Sequence, residues 1–323
     1  MKAIVYQKYG PPDVLQLKDV TKPVPGDDEV LVRVHAASAN PADWHVMRGD
    51  PFFIRLALGP LKPKHPILGA DIAGRVEAVG KDVRQFQPGD EVFGNVSQSG
   101  FGAFAEYASV PEKALSPKPA RLTFEQAAAV PLAALTALQG LRDKGRIRAG
   151  HKVLINGASG GVGTFAVQIA KAFGAEVTGV CSARNVELVR SIGADRVIDY
   201  TRDEVTRRPE RYDLILDTAA FRWPWEYRRL LNPHGIYVLV GGSTARMFQM
   251  GFLMPLARMT GNRRIELVMS KPNQKDLLVL KDLIEAGKLT PVIDRSYQLA
   301  EVPEAIRYLE EGHARGKVLI TVH

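Results

Sequence analysis

A glycine-rich segment near the middle of the chain has the residue types and the spacing of a dinucleotide-binding turn. It lies between a short apolar run at 153–155 and an apolar helical stripe, and it holds Gly157, Gly160, Gly161 and Gly163. Glycines let the backbone turn sharply and approach a pyrophosphate, whose charge then faces the free amides of the helix that follows. Strand, glycine turn and helix in this order predict a dinucleotide cofactor.

The end of the next apolar run indicates which dinucleotide is bound. Residues 176–181 form that run, and Ser182, Arg184 and Asn185 follow it. NAD-binding domains usually carry Asp or Glu at this place, where it holds the ribose hydroxyls. Because no carboxylate stands here to repel a 2′-phosphate, and a guanidinium and a hydroxyl are available to bind one, the residues predict NADPH. The alternative for Arg184 is a solvated residue in the first turn of a helix.

The same turn also fits a different chemistry. Residues 157–161 match G-x-S-x-G, the nucleophile elbow of α/β-hydrolases, which would make Ser159 a nucleophile. Asp217 and His313 follow in the order that a hydrolase requires. The chain has no HGGG-type oxyanion segment, and a hydrolase leaves Gly163 and the basic end of the second strand unexplained. A hydrolase is therefore the disfavoured alternative.

Composition limits the classes of protein to which the chain can belong. The 323 residues are 46% hydrophobic and 24% charged, with a net charge of +8 spread along the chain. This balance favours anionic ligands and gives no nucleic-acid footprint. The single cysteine excludes an intramolecular disulfide and fits a reducing compartment. With neither a signal peptide nor an apolar window of membrane-spanning length, the sequence predicts a cytoplasmic protein without a membrane span.

The elements that must position these residues fall into a β-rich part and an alternating part. Residues 1 to about 120 read as short strands with Gly and Pro turns, and Val30, Val32 and Val34 show a period of two. Beyond Thr123, a possible helix cap, strand and helix patterns alternate and predict a doubly wound parallel sheet, with ligand beyond the carboxyl ends of its strands. The predicted strands are 152–156, 176–181, 195–198, 213–217 and 235–241, and the predicted helices are 162–173, 184–192 and 223–231.

The last part of the chain contains two amphipathic helices and a strand. The helices are predicted at 273–286 and 303–311, and the strand at 317–322; we expect them to fold back onto the N-terminal domain. Before them, the methionine-rich segment 245–260 predicts a core or dimer-contact helix, with a lid over an apolar pocket as the alternative.

With these residues in view, the chain resembles the medium-chain dehydrogenase/reductase superfamily, and more narrowly its zinc-free, quinone oxidoreductase-like branch, over essentially its whole length. The motifs are SANPADW at 38–44, GADIAGRVEAVG at 69–80, GASGGVG at 157–163, CSARNVELVRSIGADRVIDY at 181–200 and GHARGKVLI at 312–320. The resemblance implies an α/β protein with a GroES-like catalytic domain at 1–120, a Rossmann-type NADPH-binding domain at 121–265, and a segment at 266–323 that returns to the catalytic domain. It also implies a homodimer.

The resemblance further implies a set of cofactor-binding residues. Those of the glycine turn would bind the pyrophosphate region, those near the second strand would bind the 2′-phosphate, and three residues would reach the cofactor from the tail of the chain, with Thr136 near the nicotinamide. The turn residues are Ser159, Gly160, Gly161, Val162 and Gly163; the 2′-phosphate residues are Ser182, Arg184 and Tyr200; the tail residues are His313, Ala314 and Arg315.

The chain departs from the zinc-dependent members of the family at the metal ligands. Those proteins carry a cysteine before the first helix and a G-H-E segment, whereas residues 39–41 here read Ala-Asn-Pro and residues 69–71 read Gly-Ala-Asp. The four-cysteine structural zinc lobe is also absent from the sequence. We therefore predict no metal site, which disfavours alcohol oxidation by a Lewis-acid route.

Without a metal, the plausible reaction is hydride transfer to a small molecule that is already electrophilic, a quinone or an α,β-unsaturated carbonyl. We predict Asn40 as the catalytic polar group, because its amide can donate to developing enolate charge without titrating. The alternative for Asn40 is a cap of the turn at 41–47. A non-catalytic NADPH-binding or sensor protein stays open as a different class of function.

Overall fold

A computed structural model describes residues 1–241 and 262–322 of the chain, and the methionine-rich segment predicted at 245–260 lies outside them. The strands are β1 Lys2–Val5, β2 Gln16–Asp19, β3 Glu29–Ala39, β4 Asp71–Val79, β5 Glu91–Asn95, β6 Tyr107–Pro111, β7 Leu115–Pro117, β8 Lys152–Asn156, β9 Glu176–Cys181, β10 Arg196–Asp199, β11 Tyr212–Asp217, β12 Leu231–Val240, β13 Arg264–Val268, β14 Ile293–Gln298 and β15 Lys317–Thr321. The helices are α1 Pro41–Arg48, α2 Phe53–Leu58, α3 Phe124–Ala128, α4 Pro131–Gln139, α5 Gly161–Ala172, α6 Val186–Ser191, α7 Pro224–Arg228, α8 Gln274–Glu285 and α9 Val302–Glu310.

The chain forms two compact units. The first comprises Met1–Leu132, Pro272–Ala286 and Pro291–His323, and the second comprises Ala133–Lys271 and Gly287–Thr290. The first unit is built on a seven-stranded sheet of order β14-β15-β3-β4-β5-β7, in which β6 also pairs with β3. Within β3, Val30, Val32 and Val34 are fully buried, as their period of two predicts.

Pairing of distant segments defines the first unit. Strand β15, from the end of the chain, pairs antiparallel with β3, and Val318 lies opposite Ala39. Strand β4 pairs with β3 from the other side, with Asp71 opposite Ser38. The carboxyl end of β3 and the first residues of β4 and β15 therefore meet at one edge of the sheet.

The short helix α3 begins as the sequence predicts but belongs to the other unit. Thr123 and Gln126 form a capping box, in which each side chain accepts a hydrogen bond from the backbone N–H of the other residue. The helix ends at Ala128, and α4 starts at Pro131, which cannot continue the earlier helix. Because α3 packs against β3, β4 and β15, residues 124–128 lie in the first unit, whereas the sequence placed them in the cofactor-binding domain.

The second unit is a six-stranded parallel sheet of order β10-β9-β8-β11-β12-β13. This is the doubly wound arrangement that the alternation of strands and helices predicts, and its strand order reverses between β8 and β11. Strand β12 begins at Leu231, earlier than the predicted residue 235, because Leu231 already pairs with Tyr212 across an irregular register. The open sheet places the carboxyl ends of β8, β9 and β11 at one edge, where α/β sheets bind their ligands.

Candidate functional site

The glycine turn after β8 is built as the fingerprint requires. Gly157 has a φ of +79°, and a side chain there would begin 2.5 Å from the Thr218 Oγ1 atom. A Cβ on Gly163 would lie 2.0 Å from the Gly157 carbonyl oxygen, so only glycine lets α5 pack this close to the turn. Gly160 precedes the first helical residue, and the N–H groups of the first turn of α5 have no acceptor within the helix. The turn therefore offers an anion the amides and the positive end of a twelve-residue helix.

The end of β9 is joined to this turn by a side chain that the sequence analysis did not assign to the site. The Asn185 amide donates to Ser159 Oγ at 3.0 Å and to Ser182 Oγ at 3.2 Å. Two predicted cofactor residues are thereby brought together. Tyr200, 57% exposed, lies beside the same strand end, because its backbone N–H donates to the Cys181 carbonyl. Arg184 is exposed in the short turn before α6.

The other predicted cofactor residues lie elsewhere in the chain. Thr136 is buried in α4 of the second unit. The tail residues His313, Ala314 and Arg315 belong to the first unit, between α9 and β15, and the Arg315 backbone N–H donates to the Asp294 carboxylate at 2.9 Å. Their roles toward a cofactor stay predictions.

The point where the strand order reverses is closed by a buried polar cluster. Asp217, at the end of β11, accepts hydrogen bonds from the Asn156 amide at 2.8 Å, from the Tyr237 hydroxyl at 2.6 Å and from the backbone N–H groups of Ala219 and Ala220. Its side chain is fully buried. These four donors fix the Asp217 carboxylate between strands β8 and β12 and the loop after β11.

Asn40 lies at the edge of the first sheet where β3, β4 and β15 meet, and it is 3% exposed. Its side-chain N–H groups donate to the Ser38 carbonyl at 3.1 Å and to Asp71 Oδ2 at 3.0 Å. Its Oδ1 atom accepts a hydrogen bond from the Lys317 ammonium. Asn40 is also the N-cap residue of α1, in a capping box in which the Asp43 carboxylate accepts the backbone N–H of Asn40 at 2.8 Å, so the alternative role as a cap is retained. The catalytic assignment of Asn40 stays a prediction, and both of its donors are engaged in this structure.

Lys317 is the member of this buried cluster that the sequence analysis did not single out. It is 3% exposed, and its Nζ lies 3.4 Å from Oδ2 of the fully buried Asp71. Burial lowers the pKa of Lys317, an effect that the Asp71 and Asp43 carboxylates oppose. The signal in the sequence that could have indicated a buried lysine is its place at the start of the apolar run KVLI. Lys317 also links residues 39–41 and 69–71, the two segments that correspond to the metal-ligand segments of the zinc-dependent family members.

Asp71 is the acceptor that organises this buried cluster. It receives hydrogen bonds on both oxygens, so each of its lone-pair directions has a donor. The donors are the Ser38 hydroxyl at 2.7 Å, the Asn40 amide at 3.0 Å, the Asn95 amide at 3.2 Å and the Leu132 backbone N–H at 2.8 Å. Together with Lys317 they satisfy a carboxylate that would otherwise be too costly to bury.

The neighbouring Asp43 should make the stability of the protein depend on pH. Burial, reinforced by the charge of Asp71, raises the pKa of Asp43 to about 7 from the ordinary value of 3.8. The folded state therefore binds more protons than the unfolded state between these values. The contribution of this group to stability is fully present below pH 4 and is lost as the pH rises through 7.

We expect the free energy of unfolding of the wild type, measured with urea, to fall between pH 5 and pH 8 by roughly 2–3 kcal/mol more than that of an Asp43→Asn variant. The size follows from the shift of the pKa, since one pKa unit corresponds to about 1.4 kcal/mol. The variant has one acceptor oxygen for the two backbone donors of Asn40 and Gly69 and should be less stable at pH 5. Equal pH slopes for the two proteins would show that Asp43 ionises normally in the folded chain.

The described residues contain neither a cluster of metal ligands nor a membrane-spanning helix. No three His, Cys, Asp or Glu side chains in this part of the chain are grouped so that they could hold a metal ion. Over the same residues, none of the helices has the length and apolar character needed to cross a membrane.

Comparison with known proteins places the chain in a family. Residues 26–120 match the model of the alcohol dehydrogenase GroES-like domain, and residues 192–320 match that of a zinc-binding dehydrogenase. The Mus musculus NAD(P)H oxidoreductase RTN4IP1, mitochondrial, is 37% identical, over 100% of this chain and 89% of the relative. The Arabidopsis thaliana NADPH-dependent alkenal/one oxidoreductase, chloroplastic, is 36% identical, over 99% and 79%. The solved quinone oxidoreductase from Coxiella burnetii superposes with a TM-score of 0.90 at 33% identity, over 100% of this chain and 99% of that one.

The predicted cytoplasmic location is contradicted by these relatives. The mouse protein is named as mitochondrial and the Arabidopsis protein as chloroplastic. The prediction was wrong because it relied on a single cysteine and on the lack of a signal peptide. Neither feature distinguishes the cytoplasm from the interior of an organelle.

The fold, by contrast, is confirmed. A β-rich GroES-like unit and a parallel Rossmann-type sheet are both present, and they match the solved Coxiella burnetii structure over the whole chain. The relatives that match nearly all of the chain are oxidoreductases by name. The chain belongs to the medium-chain dehydrogenase/reductase superfamily, and within it to the quinone oxidoreductase-like branch.

Proposed function

We propose that the protein is an NADPH-dependent, zinc-independent reductase of quinones or α,β-unsaturated carbonyls. The observation that carries the proposal is the glycine turn at the strand-order reversal, next to a second-strand end that has Ser182 and Arg184 in place of a carboxylate. The alkenal/one oxidoreductase of Arabidopsis is NADPH-dependent by name, and the Coxiella protein is a quinone oxidoreductase, which supports the same cofactor and acceptor class here.

The residues of the second unit fit NADPH. Gly157 and Gly163 leave no room for side chains where the backbone must approach a pyrophosphate, and α5 begins there with free N–H groups. The hydroxyls of Ser159 and Ser182 both accept from the Asn185 amide, whose buried Oδ1 atom has no hydrogen-bond partner in the part of the chain that the structure describes. A site with donors on two neighbouring loops matches a ligand that carries phosphate at both places.

NADPH, when bound, supplies the hydride for the reaction. The chain supplies binding and orientation, and we propose that Asn40 donates to the acceptor oxygen as negative charge develops on it. The segments that hold the metal in zinc-dependent family members carry neither Cys nor His at residues 39–41 and 69–71. A conjugated acceptor is already electrophilic, so a hydrogen bond from such a donor activates it enough without a metal ion. This supports the reduction of quinones and enones over the oxidation of alcohols.

The loop before and within α2 supports an apolar acceptor. Residues 51–63, PFFIRLALGPLKP, carry several apolar side chains, which could serve either core packing or a substrate wall. Phe52 is 68% exposed and Leu56 is 70% exposed, so these two side chains are not part of the core. We propose that they form an apolar wall for the substrate, and the homodimer implied by the family also stays a proposal.

Cofactor preference should depend on Arg184. A hydrogen bond to a charged group contributes roughly 1.5–3 kcal/mol, and solvent exposure brings it toward the lower end. We therefore expect NADPH to bind roughly ten-fold or more tightly than NADH, since about 1.4 kcal/mol is one decade. The Arg184→Ala variant should lose most of this preference by weakening NADPH and sparing NADH, as measured by isothermal titration calorimetry.

A matched control is Arg190→Ala, which removes an exposed arginine of α6 that pairs with Glu187 at 2.8 Å. This variant should keep the wild-type preference, and raised salt should erode the preference of the wild type. Equal dissociation constants of the wild type for the two cofactors would exclude the assignment. Full discrimination by Arg184→Ala would exclude Arg184 as its source.

A further inference from the structure

Asn185 occupies a position between two loops of the cofactor-binding unit. It is 5% exposed, and one amide group donates to hydroxyls on both loops, Ser159 after β8 and Ser182 after β9. The side chain makes no capping bond to α6, which begins at the next residue. Its contacts therefore serve the two serines rather than the helix.

The direction of these hydrogen bonds determines what the serines can do. A hydroxyl has one proton and two lone pairs, and a hydroxyl that accepts from an amide N–H keeps its own proton for another partner. Phosphate oxygens at neutral pH are acceptors and require donors. By donating to both Oγ atoms, Asn185 leaves both serine protons available for an anion.

The other end of the same amide is unsatisfied. Asn185 Oδ1 is buried and has no hydrogen-bond partner among the described residues. A buried acceptor without a donor lowers stability, which offsets part of what the two hydrogen bonds to the serines contribute to folding. An apolar residue of similar volume would avoid that penalty, which points to a role in ligand binding.

We propose that Asn185 is a positioning residue that orients the Ser159 and Ser182 hydroxyls as a pair of donors and thereby couples the binding of the pyrophosphate to that of the 2′-phosphate. The inference rests on the proposed function, because it requires a ligand that carries both phosphates. It adds a selectivity element that acts through the serines, separate from the charge of Arg184.

The test uses adenosine 2′,5′-bisphosphate, which has phosphates at both places, and 5′-AMP, which has only one. Calorimetry on the full chain should show that Asn185→Ala weakens the bisphosphate roughly ten-fold and 5′-AMP by less. In the Asn185→Ala background, Ser159→Ala and Ser182→Ala should each cost less affinity than in the wild type. Asn185→Leu should weaken binding in the same way without lowering the melting temperature, which a purely structural asparagine would not allow.

Ser191→Ala is the matched control, because this exposed serine of α6 donates to the Leu188 carbonyl within its own helix, and its loss should leave binding unchanged. Bisphosphate affinity that is unaffected by Asn185→Ala would overturn the inference. Serine effects of the same size in both backgrounds would also overturn it. A wild-type protein that binds neither the bisphosphate nor NADPH would instead refute the proposed function itself.

Discussion

Replacing Lys317 by methionine is expected to lower the free energy of unfolding by about 3–5 kcal/mol, the usual cost of leaving one partner of a buried ion pair uncompensated. Methionine keeps most of the length of the side chain but leaves the fully buried Asp71 without its counter-charge, and it leaves Asn40 Oδ1 without its donor. Urea denaturation at pH 7, with the native fold verified by circular dichroism, measures the change.

Two further variants separate the ion pair from general loss of packing. Lys81→Met removes a lysine that pairs with Asp27 on the surface, where both side chains are more than half exposed, and should leave stability nearly unchanged. The double variant Lys317→Met, Asp71→Asn removes both buried charges and should recover part of the loss. A Lys317→Met protein as stable as Lys81→Met would show that the cluster does not depend on this ammonium.

Replacing Asn40 by alanine is expected to lower kcat by roughly 10²–10³, the usual cost of removing one donor to a developing oxyanion, with little change in the affinity for NADPH. In the structure both N–H groups of the Asn40 amide have partners. The bond to the neutral Ser38 carbonyl, at 3.1 Å, is the one that a substrate oxygen can replace. A neutral hydrogen bond is worth about 0.5–1.5 kcal/mol and one to a charged group about 1.5–3 kcal/mol, so the exchange becomes favourable as charge develops.

Ser38→Ala is the matched control for Asn40. It removes a hydroxyl that donates to Asp71 at 2.7 Å, within the same buried cluster, but it keeps the Ser38 carbonyl and the Asn40 amide. It should lower the melting temperature while retaining kcat. If Asn40→Ala instead lowers the melting temperature and retains kcat, Asn40 serves only to hold Lys317 and Asp71.

Five of the six strands in the sheet of the second unit were predictable because their signals are local, whereas β13 was not predicted. Strands β8, β9 and β11 are formed by apolar runs of strand length, and their bounds agree with the predicted ones to within a residue. The glycine turn lies between β8 and α5, as predicted. A parallel sheet follows from the alternation of such runs with helices. The capping box at Thr123 was readable for the same reason, since its two residues are three apart in sequence.

The buried cluster of the first unit could not be predicted in this way. Lys317 meets Asn40 and Asp71 only because β15 pairs with β3, a contact between segments some 280 residues apart (317 − 40 = 277). No spacing rule connects these positions, and isolated charged residues in a sequence usually indicate surface. In the sequence, Asn185 mattered only because it stands where an NAD-binding domain usually has a carboxylate. Its hydrogen bonds to the two serines depend on β8 and β9 lying side by side, which no local pattern predicts.

The central claim is most directly tested by following NADPH oxidation with a panel of quinones and α,β-unsaturated carbonyls, on protein dialysed against a metal chelator. We expect turnover with conjugated acceptors, reduced products identified by mass spectrometry, much slower turnover with NADH, and no loss of rate after dialysis. Saturated ketones and aldehydes serve as the control acceptors and should not react. Tight NADPH binding without turnover of any acceptor would make the protein a non-catalytic binder, and activity that is lost on dialysis and restored by zinc would contradict the metal-free mechanism.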